Sequence, residues 1–87
     1  MPEICRFYGI IIKMFIDDHV PPHFHVEYGD YKAQINIKTG EIINGEFPVK
    51  QLKLVQAWVI LHEEELISNF DGLRADIKYW NKIEPLH

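Results

Sequence analysis

The sequence predicts one α+β domain over residues 1–87, made of an antiparallel meander of three to four strands, one long helix packed on one face and a short C-terminal tail. Residues 6–37 are rich in β-branched and aromatic side chains and are interrupted by turn residues, which is typical of short strands. Residues 49–70 contain neither glycine nor proline, which favours a helix. A chain of 87 residues is long enough for one hydrophobic core and gives no indication of a second.

The first predicted strand covers residues 6–16, R-F-Y-G-I-I-I-K-M-F-I, and stops at Asp17-Asp18. Its Ile10, Ile12 and Met14 fall on one face, because side chains alternate along a strand. The other face is also mostly apolar, which predicts a central strand or one covered by the helix. Gly9 is expected to form a bulge or a point of close backbone approach.

A hairpin is predicted next, from His23–Tyr28 and 31–37. Gly29-Asp30 joins them, and glycine at the first central position of a two-residue turn is typical of type II′. The second of these strands alternates apolar and polar residues, which indicates one buried face. Thr39-Gly40 is the following turn, and residues 41–44 are expected to form a fourth strand or an extended segment.

The helix is predicted from Pro48, a residue suited to the first helical position, to about Phe70, with Asp71-Gly72 ending it. The stripe expected to face the sheet consists of Leu52, Val55, Val59, Leu66 and Phe70. Further apolar side chains, among them Trp58, Ile60 and Leu61, surround much of the helix. This surplus predicts that the apolar tail or a second copy of the chain covers the helix.

Residues 17–31, D-D-H-V-P-P-H-F-H-V-E-Y-G-D-Y, contain most of the candidate chemistry. On a strand, His23 and His25 share one face, while the apolar residues between and after them share the other. The Pro21-Pro22 corner, which can include a cis peptide, is expected to bring His19 beside His23. The carboxylates of Asp17-Asp18 are expected to converge with these imidazoles.

Three interpretations of this convergence remain open. His23 and His25, about 7 Å apart along a strand, can both bind zinc or another divalent transition metal, with His19, Asp17, Asp18 or Glu27 as the third ligand. Alternatively, His19, His23 and His25 act as general acid and base in phosphodiester cleavage, because imidazole titrates near neutral pH. In the third interpretation the histidines only hydrogen-bond the backbone of the corner.

Four residues outside this stretch are assigned structural roles. His62 lies near the helix stripe and is predicted to be a core histidine with a backbone or carboxylate partner. The single cysteine, Cys5, lies among apolar residues and is given no chemical role. Trp58 and Trp80 are interpreted as core or interface anchors rather than stacking surfaces for bases.

Composition narrows the function classes. The net charge of −4 disfavours nucleic acid as the main partner, because phosphate binding depends on clustered Lys and Arg. No apolar run approaches the roughly 18 residues that span a bilayer, and the start, Met1-Pro2-Glu3, lacks the features of a signal peptide. A cytoplasmic protein without membrane contact is therefore expected.

Several segments carry a family resemblance. They are the corner D-D-H-V-P-P-H-F-H-V-E-Y-G-D-Y-K-A, the opening M-P-E-I-C-R-F-Y-G-I-I-I, the turn T-G-E-I-I-N-G-E-F-P, the helix segment L-K-L-V-Q-A-W-V-I-L-H-E-E-E-L and the ending K-I-E-P-L. With these segments the chain resembles the prokaryotic family called domain of unknown function 4160. Members resembling this chain tend to be encoded beside another small protein, in an arrangement similar to toxin–antitoxin pairs. The resemblance implies no catalytic residue.

The function expected from these observations is a small protein-interaction or regulatory module of a two-gene, toxin–antitoxin-like system. It would act through its helix and tail, by binding the product of a neighbouring gene, by self-association, or by both. The alternative is a metal-binding hydrolase or ribonuclease-like toxin that uses the H-x-x-x-H-x-H corner, so the sequence leaves open whether the chain is an enzyme.

Overall fold

The fold is one antiparallel sheet with one long helix, seen in a computed structural model that describes residues 3–87. The strands are β1 (Glu3–Phe7), β2 (Ile10–Lys13), β3 (His23–Tyr28), β4 (Tyr31–Asn36) and β5 (Ile42–Gly45), and the helix is α1 (Val49–Arg74). The sheet order is β1-β2-β3-β4-β5. The α+β meander is confirmed with five strands rather than three to four; the first two residues of the opening motif lie outside the described part.

The predicted strand over residues 6–16 is wrong, because this segment contributes to two strands. β1 and β2 form a hairpin across Tyr8-Gly9, with Phe7 opposite Ile10. Tyr8 and Gly9 have φ values of 49° and 78°, as a two-residue turn of the I′ type requires. Gly9 is therefore a turn residue and not a bulge, and β2 already stops at Lys13.

The β3–β4 hairpin follows the prediction. Phe24 pairs with Ile35 and Val26 with Ala33, and all four side chains are buried on the face toward the helix. Gly29 has a φ of 56°, which agrees with glycine at the first position of a type II′ turn. β5 confirms the fourth predicted strand segment.

The helix begins at Val49, directly after Pro48, and continues to Arg74. The end predicted at Asp71-Gly72 is therefore wrong. A Cβ at Gly72 would collide with the carbonyl oxygen of Tyr79, so this glycine permits close approach of the tail instead of ending the helix. Four of the five predicted stripe residues, Val55, Val59, Leu66 and Phe70, are buried, and Leu52 is half-buried.

The tail runs back along the helix and completes the core. The indole Nε1 of Trp58 donates to the carbonyl oxygen of Glu84 at 2.8 Å. The side chain of Asn69 donates to the carbonyl of Asn81 at 2.7 Å and accepts from its N–H at 2.8 Å. Ile83 is buried, which confirms that the tail covers apolar surface.

Candidate functional site

The face of the sheet that points away from the helix carries a row of polar side chains. Strand register places Lys13 beside His25, His25 beside Gln34, and Gln34 beside Asn44. Lys13 is also paired with Glu27, with its Nζ 3.0 Å from Oε2. β3 thus fixes His25 on a polar surface while its neighbours on the other face hold the core.

His23 lies at the start of β3, where the sheet meets the end of the helix. Its Nδ1 is 2.8 Å from the carbonyl oxygen of Pro21, and its ring packs 5.7 Å from the ring of Phe70. Only 6% of the residue is exposed. The peptide between Val20 and Pro21 is cis, one of the geometries expected for this corner.

Asp18 joins the two strand histidines. Its Oδ2 lies 3.0 Å from Nε2 of His23 and 2.9 Å from Nε2 of His25. Its Oδ1 accepts a hydrogen bond from the backbone N–H of His19 at 3.1 Å. One potential ligand atom from each of Asp18, His23 and His25 lies within 4.8 Å of the others, so these three side chains form a cluster, called here the corner cluster.

The other two residues predicted for this site point elsewhere. Asp17 has a φ of 57°; its N–H donates to the carbonyl of Leu73, and its Oδ1 lies 2.7 Å from Nζ of Lys78. His19 is exposed and lines a groove beside the cluster. The structure therefore brings His23 and His25 together with Asp18, one of the candidates for the third ligand, while the roles of His19 and Asp17 remain predictions.

The charge state of the corner cluster is set by Asp18. Burial acts to raise its pKa, but the hydrogen bond with His25, the charge of His23 and the backbone N–H of His19 together outweigh burial and lower the pKa below its usual value. Asp18 is thus held as a carboxylate, which can accept hydrogen bonds or bind a cation.

We expect the lowered pKa of Asp18 to appear in the acid stability of the protein. A carboxyl with a folded-state pKa below its unfolded value of about 3.9 adds stability above that value, and the contribution is lost as the pH falls through the folded-state pKa. Urea unfolding of metal-free protein between about pH 6 and pH 3 should therefore show a smaller loss of stability in Asp18→Asn than in wild type. Equal losses of stability in the two proteins would contradict a lowered pKa of Asp18 in the folded state.

Two depressions flank the corner cluster on the sheet surface. The larger, about 350 Å³, is lined by Asp18, His19, Val20, Pro21, His23, Gln34, Ile43 and Asn44. The smaller, about 160 Å³, lies on the side of His25 and Lys32 and shares Gln34 and Asn44 with the larger one. Atoms of the cluster therefore border space that a small ligand or a segment of a polymer can enter.

His62 and Cys5 lie outside the corner cluster. Nδ1 of His62 is 2.6 Å from Oε1 of Glu65, and its ring is 5.6 Å from that of Trp58, so the predicted carboxylate partner is present. The backbone of His62 departs from helical geometry (φ −129°, ψ 21°) and kinks α1. Burial raises the pKa of the Cys5 thiol, which disfavours thiolate chemistry there.

A second candidate surface lies on the middle of the helix. Ile60 and Leu61 are 79% and 67% exposed. They border a depression of about 450 Å³ together with His62 and the three glutamates at positions 63–65. The tail, which covers Trp58, leaves these two residues in contact with water.

Fold and cluster together define a small α+β protein with two histidines and one aspartate joined at a strand end, next to a groove. The chain belongs to the family described as Domain of unknown function (DUF4160), whose model matches residues 9–71, so the resemblance is confirmed. A search of curated proteins and a search of solved structures each returned no match. Within residues 3–87, no helix has the length and apolar character needed to cross a membrane.

Proposed function

We propose that the chain is a cytoplasmic protein-interaction or regulatory module of a two-gene, toxin–antitoxin-like system. The exposure of Ile60 and Leu61, directly after the buried residues Trp58 and Val59, supports this proposal. Removing such a side chain from water contributes about 1.5–3 kcal/mol, so a partner that covers both gains a substantial part of its binding energy there.

The surroundings of Ile60 and Leu61 define the chemistry of the partner. The glutamates at positions 63–65 follow directly on the same depression, so the surface is apolar at its centre and acidic at its edge. A complementary protein presents an apolar side chain flanked by Lys or Arg. The product of the neighbouring gene is the proposed partner.

The test is co-expression with that gene product, followed by size-exclusion chromatography and calorimetric titration. Ile60→Asp with Leu61→Asp should weaken the complex by at least about a hundredfold, because two apolar contacts of this size are lost. Val49→Asp is the matched control, since Val49 is 68% exposed at the other end of the same helix. Unchanged affinity in the double variant, or no complex with the wild type, would refute the proposal.

A second candidate function is hydrolysis, with a ribonuclease-like activity at the corner. The larger groove favours it, because it brings solvent-accessible His19 to the same space as Asp18 and His23. A general acid and a general base must lie within reach of one bound substrate. His19, on the wall of the larger groove, and His25, oriented by Asp18 in the adjoining smaller depression, would supply these roles to a substrate that spans both depressions.

The hydrolase candidate is tested with single-stranded RNA and an activated phosphodiester as substrates. Removing a general acid or base lowers the rate about 10²–10⁴-fold. His19→Ala and His25→Ala should therefore each lower the hydrolysis rate by a factor in that range. His87→Ala is the control, because His87 is exposed and pairs loosely with Glu84 at 3.7 Å. Activity that survives both corner substitutions belongs to a contaminant or to another site and would end this hypothesis.

A further inference from the structure

We infer that Asp18, His23 and His25 form a binding site for one divalent transition metal ion, with zinc as the best chemical match. The inference goes beyond both proposed functions and depends on neither.

The hydrogen bond from His23 to Pro21 fixes the tautomer of the ring. A carbonyl oxygen only accepts hydrogen bonds, so Nδ1, at 2.8 Å from the Pro21 oxygen, carries the proton. In a neutral imidazole the other nitrogen, Nε2, is then an unprotonated acceptor. Metal-binding histidines are typically held in this way, with the non-ligating N–H donated to a carbonyl or a carboxylate.

The free acceptor of His23 faces another acceptor. Nε2 lies 3.0 Å from Oδ2 of Asp18, and an ionised carboxylate has only acceptor atoms. Two acceptors repel each other at this distance unless a cation lies between or beside them. The cation is either a second proton on the ring or a metal ion that accepts both lone pairs.

The arrangement of the third ligand favours the metal ion. Nε2 of His25 lies 2.9 Å from the same Asp18 oxygen, so the three potential ligand atoms all lie within 4.8 Å of one another. Ligand atoms about 2.0–2.2 Å from a tetrahedral zinc ion stand roughly 3.4 Å apart. Binding therefore requires the two short spacings to widen by a few tenths of an ångström, while the third spacing, at most 4.8 Å, closes toward the same value.

The side chains are also held in place before any ion arrives. His23 packs against Phe70 and is 6% exposed. The ring of His25 lies 4.1 Å from that of Phe15 in an edge-on contact. Such packing reduces the conformational freedom that binding would otherwise remove, which raises affinity.

The donor set identifies the class of metal. Two imidazole nitrogens and one carboxylate oxygen suit zinc and neighbouring transition metals, whereas Mg²⁺ and Ca²⁺ prefer oxygen ligands. Three protein ligands with a remaining open position are typical of catalytic zinc sites. Here Asp18 and His23 border the larger groove, so the open position faces a space that water can reach.

The experiment uses the full chain, freed of metal with a chelator and titrated with Zn²⁺ alone by calorimetry. We expect one ion per chain, and a more than hundredfold weaker affinity in Asp18→Asn and in His25→Gln, since loss of a ligand costs more than the roughly 10–100-fold of an outer-shell change. His62→Ala and His87→Ala are controls that should bind like wild type. Circular dichroism establishes that each variant is folded.

A second measurement keeps the inference falsifiable if a variant fails to fold. Long-range ¹H–¹⁵N NMR spectra of the wild type report the protonation of each ring nitrogen. Zinc should shift Nε2 of His23 while Nδ1 keeps its proton. No zinc binding at 100-fold excess over the protein, binding unchanged in His25→Gln, or a His23 ring that carries two protons with and without zinc would each overturn the site.

Discussion

Replacing Trp58 by alanine is expected to lower the free energy of unfolding by about 3–5 kcal/mol, the range for removing a large aromatic side chain from a core. Trp58 is fully buried, and its ring lies 5.5 Å from that of Phe7 and 5.9 Å from that of Phe24. A domain of this size has about 5–10 kcal/mol in total. The substitution should therefore remove a large fraction of the total stability.

The loss extends beyond the cavity, because the Nε1 of Trp58 donates to the carbonyl of Glu84. Without the indole, this carbonyl loses its partner and the tail loses one of its attachments to the helix. Urea unfolding followed by circular dichroism measures the effect. Trp80→Ala is the control; Trp80 is 36% exposed, and we expect a change of about 1 kcal/mol or less. Equal effects of the two substitutions would show that Trp58 does not organise the core.

Replacing Gly45 by alanine is expected to destabilise the protein by about 2–5 kcal/mol. Gly45 has a φ of 88°, which costs a residue with a side chain about 1–2 kcal/mol. In addition, the new Cβ would collide with the carbonyl oxygen of Lys32 and lie 2.9 Å from Cα of Ala33. Overpacking of this kind adds about 1–3 kcal/mol, since backbone atoms of β4 must move.

Gly29→Ala separates the two contributions to the Gly45 result. Gly29 also has a positive φ, 56°, but nothing lies within 4 Å of its added Cβ. We therefore expect only the conformational cost of about 1–2 kcal/mol there. Thermal and urea unfolding of the two variants side by side measure the difference. If Gly45→Ala is no worse than Gly29→Ala, the close approach of β5 to β4 is incorrect.

The parts of the fold that could be predicted from the sequence are those determined by local patterns. Alternation fixed the faces of β3 and β4, including the common face of His23 and His25. The helical spacing of apolar residues identified the buried side of α1. Both patterns repeat over several residues, so a single unusual position does not change the result.

The wrong predictions concern residues whose type is compatible with two different local structures. An apolar, β-branched segment has the same composition whether it forms one strand or a hairpin, and Tyr8 at a φ of 49° is an unusual residue for the turn. Glycine is common at helix ends, but Gly72 lies inside the helix, where a side chain would collide with Tyr79 of the tail. The pattern of residues around Gly72 does not indicate this contact between helix and tail.

The corner cluster shows the same limit. Asp17 and Asp18 are adjacent and chemically identical, and only the left-handed backbone of Asp17 sends one toward Lys78 and the other toward the histidines. Lys78 lies far along the chain, in the tail. The sequence could thus predict two histidines and a nearby carboxylate, but it could not predict which aspartate completes the group.

A hydrogen bond between the tail and β1 lies outside the segment that the family model matches. The N–H of Ile83 donates to the carbonyl of Ile4 at 3.1 Å, and both side chains are buried. Neither residue lies within the matched segment, 9–71. The stretch by which relatives are detected is therefore shorter than the unit that folds: a fragment cut at those bounds would lack both segments that close the core around Trp58.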